Sequence, residues 1–193
     1  MTLAPWRPIL ARSLHRNRAL AHAKYFQLAT VRANGRPANR TVVFRGFLPD
    51  RDRIAIVTDR RSQKIPQIER NVWAEICWYF PKTREQFRLA GTIDIIDAAH
   101  PNEIWQKAFH RTWQNLSEAA RAQFYEVAPG LPRASAQRPP EPDAAAGDIP
   151  EPFRLLVFES HDVDYLNLQT HPHERCHYWL DRSRQWQTEW LTP

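Results

Sequence analysis

The sequence predicts a mainly β, α+β fold: an antiparallel barrel with helices on its outside. Three observations carry this. Short runs rich in β-branched and aromatic residues recur from Tyr25 to Trp190, one hairpin spacing after another. Asn34-Gly35, a pair in which both residues accept positive φ, separates the first two runs. Helical periodicity is confined to residues 4–22, a segment after Ser62, and residues 100–126.

Trp6, Ile9, Leu10 and Leu14 fall on one stripe, which predicts a covering helix over about residues 4–22, regular only beyond Pro8. Tyr25 to Arg32 is the first strand, and the second arm runs from Pro37 through Arg40 to Phe47. Leu48 to Asp52 forms a turn. Ile54 to Thr58 is nearly all apolar, so both of its faces should be covered. A helix follows from Ser62 to about Asn71, with Ile65 and Ile68 inward. Val72–Phe80 and Phe87–Ile96 are long strands joined around Pro81-Lys82-Thr83, and Gly91 marks a bend or bulge. Two helices fill 100–126, the second capped by Ser117. Residues of about 129–152 are rich in Pro and Ala and read as an extended linker. Arg154–Ser160, Val163–Leu168, Arg175–Leu180 and Gln185–Trp190 complete the strands of a single domain spanning 1–193.

The net charge of +6 is unevenly spread: residues 1–49 carry nine Arg or Lys and no acid, and the rest is mildly acidic. That asymmetry points to an anionic ligand near the first half. No stacking-aromatic RNA motif or zinc finger accompanies the basic stretch, so nucleic acid is not the expected partner. No apolar run reaches the length of a membrane span. Two cysteines, Cys77 and Cys176, form no CxxC, which fits a reducing cytoplasmic setting. Cys77, within an apolar strand, reads as a small buried hydrophobe. His171, His173, Cys176 and His177 match no standard zinc spacing, and no metal is expected.

The stretch from Arg40 to Lys64 concentrates the chemistry. If its two strands pair, Arg40, Thr58, Ser62 and Lys64 converge at one end of a sheet. Two cations, hydroxyls and a helix start are what a phosphate dianion needs, which predicts a phosphate-anchored cofactor site.

These residues resemble the pyridoxamine 5′-phosphate oxidase-like flavoproteins, and more closely a branch common in cyanobacteria and plants. The likeness is clearest over 24–97 and weaker over 153–193, where Trp186, Leu191 and Pro193 keep a terminal Trp-x-x-x-x-Leu-x-Pro. The resemblance implies a split β-barrel that binds FMN between two subunits of a homodimer. It further implies that Arg40-Thr41-Val42-Val43 lies along the flavin, that Val57-Thr58 follows, and that Ser62-Gln63-Lys64 holds the phosphate. Gln86 would hydrogen-bond the ring, and Arg175 would be a late arginine reaching the flavin. Arg45 would stand where the family binds a substrate phosphate.

The departures matter too. The family's arginine in the Ser-Arg-Lys run is Gln63, and its Arg-x-His substrate element has no clear counterpart in His171-Pro172-His173-Glu174-Arg175. FMN binding survives these changes better than vitamin B6 oxidation does. The resulting expectation is an FMN-dependent oxidoreductase on a small molecule, with no residue standing out as a general acid or base. The alternatives are a flavin carrier or sensor without turnover, and a related barrel holding haem or a deazaflavin.

Overall fold

A computed structural model of the chain describes residues 3–48, 52–132 and 148–193. Among these, nine strands form one antiparallel sheet: β1 Tyr25–Val31, β2 Pro37–Val43, β3 Gly46–Phe47, β4 Ile54–Asp59, β5 Trp73–Phe80, β6 Glu85–Ile96, β7 Phe153–Asn167, β8 Glu174–Leu180 and β9 Trp186–Leu191. The helices are α1 Arg7–Arg16, α2 Lys64–Arg70, α3 Glu103–Gln114 and α4 Glu118–Ala122, with short 3₁₀ turns at Ala21–Lys24 and Gln123–Tyr125. Strand order is β2-β1-β5-β6-β7-β4-β3, and β8 and β9 continue from β7.

Alternation along the strands separates two cores. Inward residues such as Phe26, Leu28, Ile56, Trp78, Phe80, Phe87 and Phe158 fill the barrel, closed by Trp6 just before α1, by Leu10 of α1 and by Ile65 and Ile68 of α2. On the other face of β4 and the first half of β7, Ala55, Leu155 and Val157 pack under Phe109 and Trp113 of α3 and Phe124. Both faces of β4 are thus covered, as its apolar run requires. Ser117 caps α4 by accepting from Ala120 N.

Strand β7 changes partners along its length. Phe153–Phe158 pair with β4, Asp162–Asn167 pair with β8, and β6 runs along both halves. The changeover is a bulge: the β6–β7 register shifts between Ala90 and Gly91. A Cβ on Gly91 would lie 2.0 Å from the Glu159 carbonyl oxygen, so only glycine allows this approach. Gly91→Ala should therefore cost about 2 kcal/mol through backbone displacement, read as a lowered urea midpoint at unchanged m.

Several expectations are corrected. The helix expected over 4–22 stops at Arg16 because the buried Asn17 turns its side chain to other work. Its amide nitrogen donates to Ser13 O (2.8 Å) and Thr83 Oγ1 (3.1 Å), and its oxygen accepts from Lys82 N (3.0 Å). The helix end is thereby pinned to the β5–β6 turn. The second arm breaks after Val43, and Gly46, at φ 132°, restarts it as β3. The helix expected from Ser62 begins at Lys64, and Gln63 precedes it without a side-chain cap. The strands expected at 154–160 and 163–168 are one strand, because β6 spans the bulge between them. Cys77 is half-buried on the outward face, whereas Cys176 is fully buried. Of the expected Leu48–Asp52 turn and 129–152 linker, residues 49–51 and 133–147 lie outside the described residues.

Candidate functional site

Strands β2 and β4 approach each other without pairing, which leaves a split in the barrel wall. Arg40 stands on β2 at this split. Its cross-strand partner Leu28 and the next in that row, Ile76 and Leu89, all point into the barrel. Its guanidinium donates to Thr30 Oγ1 (2.6 Å), Leu28 O (3.1 Å) and Gln67 Oε1 (2.9 Å). Across the split, Lys64 Nζ donates to Thr58 Oγ1 and Ser62 Oγ, both at 2.7 Å. Both hydroxyls accept from the ammonium; Ser62 keeps its own hydrogen for a ligand oxygen, while Thr58 donates its hydrogen in a long 3.4 Å bond to Asp59 O.

Arg32, Arg40, Ser62, Gln63, Lys64 and Gln67 line a cavity of about 400 Å³ that Pro129 and Gly130 close from one side. No carboxylate is among its lining residues that the structure describes. Burial lowers the Arg40 pKa, with Arg32 adding to the effect. Burial and then the nearby Arg40 bring Lys64 down to about 8, partly offset by Asp59, which is itself held by Arg61 at 2.6 Å. Two cations whose hydrogen-bond partners among the described residues are all neutral form a site complementary to a dianion.

The remaining predicted residues divide by face. The Val42 side chain is in the barrel core, so it offers a ligand only its backbone. Thr41 is exposed and Val43 half-exposed on the outer face, while Val57 packs against the second core under α3. Gln86 and Arg175 also lie on the outer face, in one row through Leu166. Gln86 Oε1 is 4.0 Å from Cys77 Sγ. Arg175 is bound to Asp164 (2.7 Å), which also holds Arg88 (2.8 Å). A single chain therefore assembles Arg40, Thr58, Ser62, Gln63 and Lys64, and leaves Gln86 and Arg175 on the opposite side of the sheet.

Arg45 belongs to a second cavity of about 450 Å³ between β3 and α3. Phe47, Leu48, Trp105, Ala108 and Leu116 provide an apolar lining, and Arg45, Lys107 and Arg111 provide the charge. Burial lowers the Arg45 pKa. Lys107 and Arg111 escaped the sequence reading. Their i,i+4 spacing puts them on one face of α3, but only the packing of α3 over β3 brings that face to Arg45.

The histidine cluster is dispersed. His171 and His173 sit in the β7–β8 turn rather than on a strand, with His173 Nδ1 2.9 Å from Thr170 O. His177 on β8 pairs with Asp162 at 2.7 Å. Trp78 is fully buried in the barrel, whereas Trp73 is half-exposed on the outer face.

Comparison with known proteins places this geometry. The sequence profile described as "Pyridoxamine 5′-phosphate oxidase, FMN-binding domain" matches residues 3–97. A pyridoxine/pyridoxamine 5′-phosphate oxidase 2 of Arabidopsis thaliana is 43% identical over 170 residues, covering 87% of this chain and 85% of that protein. A crystal structure of a pyridoxamine 5′-phosphate oxidase-related, FMN-binding protein from Nostoc punctiforme is 47% identical, with a TM-score of 0.88, over 100% of this chain and 99% of that one. PhzG from Burkholderia lata, solved with tetrahydrophenazine-1-carboxylic acid, shares the fold at 20% identity and a TM-score of 0.72, over 98% and 94% of the two chains.

Proposed function

This chain belongs to the pyridoxamine 5′-phosphate oxidase-like family of FMN-binding proteins, with FMN as the cofactor of the domain, and from that premise we propose that it is a homodimeric FMN-dependent oxidoreductase acting on a small organic anion. The observation that carries this reading is the cleft at Arg40 and Lys64, which no carboxylate among the described residues lines. The residues fit the FMN phosphate. Arg40 and Lys64 supply charge, Ser62 supplies a hydroxyl hydrogen, Thr58 orients the Lys64 ammonium, and the unpaired edge of β2 supplies backbone groups to the rest of the cofactor. Bound there, FMN supplies hydride or electron transfer at its N5 position.

Homodimerisation is supported by the division of the candidate residues between two faces. A second copy that lays its outer face over the split would bring Gln86 and Arg175 to a cofactor anchored by the first. That outer face exposes Tyr25, Trp73 and Tyr79, large apolar groups of the kind interfaces cover.

The cavity at Arg45 supports the choice of substrate class. Apolar walls with Arg45, Lys107 and Arg111 suit a planar body carrying a phosphate or carboxylate. In the test, pyridoxamine 5′-phosphate and a panel of aromatic carboxylates are added anaerobically to the FMN-loaded protein, and flavin bleaching is followed. Bleaching by one of these anions supports turnover. Arg45→Ala with Arg111→Ala should then raise KM by about 10–100-fold at unchanged FMN affinity. Absence of bleaching across the panel would favour a carrier or sensor.

A further inference from the structure

A third cavity, of about 550 Å³, lies between α1, the 3₁₀ turn at Ala21–Lys24 and β3, away from the phosphate cleft. Its walls are apolar: Ala11, Leu14, Leu20, Ala21, Ala23 and Phe47. Its polar lining among the described residues is Arg7, His15, Arg18 and Lys24, with no carboxylate. These are residues of the acid-free N-terminal stretch, and neither the phosphate cleft nor the Arg45 cavity uses them.

The charges here are poorly compensated. Arg7 stacks its guanidinium 3.1 Å above the Phe47 ring, and its buried Nε has no hydrogen-bond partner among the described residues. Asp52 is the carboxylate whose charge reaches Arg7, and one of its oxygens is committed to Ala4 N at 2.8 Å. Arg18 donates to His15 Nε2 and to His15 O, both at 3.0 Å. Among the described residues Arg18 forms no ion pair, so no carboxylate offsets its charge at the rim. Lys24 is exposed, and among the described residues it forms no ion pair.

We propose that this cavity is a second ligand site, for an organic anion with an apolar body whose acidic group meets Arg18 and Lys24 and whose body lies along Leu14, Leu20 and Phe47. An inorganic anion would leave the apolar walls unused, and a neutral hydrocarbon would leave the cations uncompensated. The size matches a drug-sized molecule rather than a single ion.

The probe is 8-anilinonaphthalene-1-sulfonate, an aromatic sulfonate that fluoresces when its body leaves water, titrated into the FMN-loaded full-length protein with laurate as competitor. One site per chain is expected, displaced by laurate. Arg18→Ala with Lys24→Ala should weaken probe binding at least tenfold, while Arg45→Ala with Arg111→Ala leaves it unchanged. Leu14→Gln, which makes the wall polar, should weaken it with both cations intact. FMN affinity and thermal midpoint serve as the check that the Arg18/Lys24 variant is folded. Probe binding that follows Arg45 and Arg111 instead, or that is indifferent to Arg18 and Lys24, would overturn the proposal.

Discussion

Replacing Arg40 and Lys64 together by Ala is expected to weaken FMN binding by about 10²–10⁴-fold, from about 1.5–3 kcal/mol for each charge-assisted contact removed. Riboflavin, which lacks the phosphate, should lose far less, so the two ligands should bind the double variant with similar affinity. That comparison separates the anchor from a general loosening of the fold. Such loosening is a real concern at Arg40, whose guanidinium also ties β2 to Thr30 and Gln67. It should be modest, because Thr30 Oγ1 already donates to Gln67 Oε1 at 2.6 Å and keeps β1 joined to α2 without Arg40. Fluorescence titration with both flavins reads the result. An FMN preference that survives the double substitution would put the phosphate elsewhere.

Phe153→Ala should be the most destabilising single core substitution considered for the α3 side, at about 3–5 kcal/mol. Phe153 is fully buried, and its ring meets those of Phe109 (4.9 Å), Trp113 (5.0 Å) and Phe124 (5.1 Å). These rings fasten α3 and the Gln123–Tyr125 turn to the sheet. The loss should therefore reach beyond stability: α3 carries Lys107 and Arg111, and a loosened α3 no longer holds them opposite Arg45. A urea melt gives the first effect. Retention of FMN with impaired bleaching by substrate gives the second, because the cations and hydroxyls of the phosphate cleft stand on β2, on β4 and at the start of α2, and only its rim at Pro129 and Gly130 follows the loosened turn.

The parts of the molecule legible in the sequence are those governed by local rules. Asn34-Gly35 set the first hairpin, and alternation set the inward faces of β1, β5 and β6. Gly91 announced a bulge because a strand interior tolerates glycine only where another backbone comes close. The convergence of Arg40, Thr58, Ser62 and Lys64 was legible because all four lie within one stretch of chain. The pairing expected to produce it does not form: β2 pairs with β1 and β4 with β7, and the two strands meet only across the split. What stayed hidden depends on packing between distant elements. Asn17 ends α1 through bonds to the β5–β6 turn, far along the chain, and nothing in the α1 periodicity marks that. Lys107 and Arg111 look like ordinary solvated helix residues until α3 is seen to cover β3. Gln86 and Arg175 were assigned to the same cofactor as Arg40 by resemblance, and only the strand register puts them on the opposite face.

The central claim is that a protonated Lys64 beside Arg40 receives the phosphate of FMN, and its most direct test is the pH dependence of flavin affinity. Without ligand, burial and Arg40 hold Lys64 at about 8. A bound dianion favours the charged ammonium and raises that value, so binding above pH 8 must take up a proton. The stabilisation is fully present below pH 8 and is lost as pH rises through it, by up to about tenfold per pH unit. Calorimetric titration from pH 7 to 9.5, with riboflavin in parallel to cancel ionisation of the flavin ring, gives the answer. The expected result is an FMN affinity that falls above pH 8 while riboflavin stays flat, with Lys64→Gln abolishing the fall. An FMN affinity as flat as that of riboflavin across this range would contradict the claim.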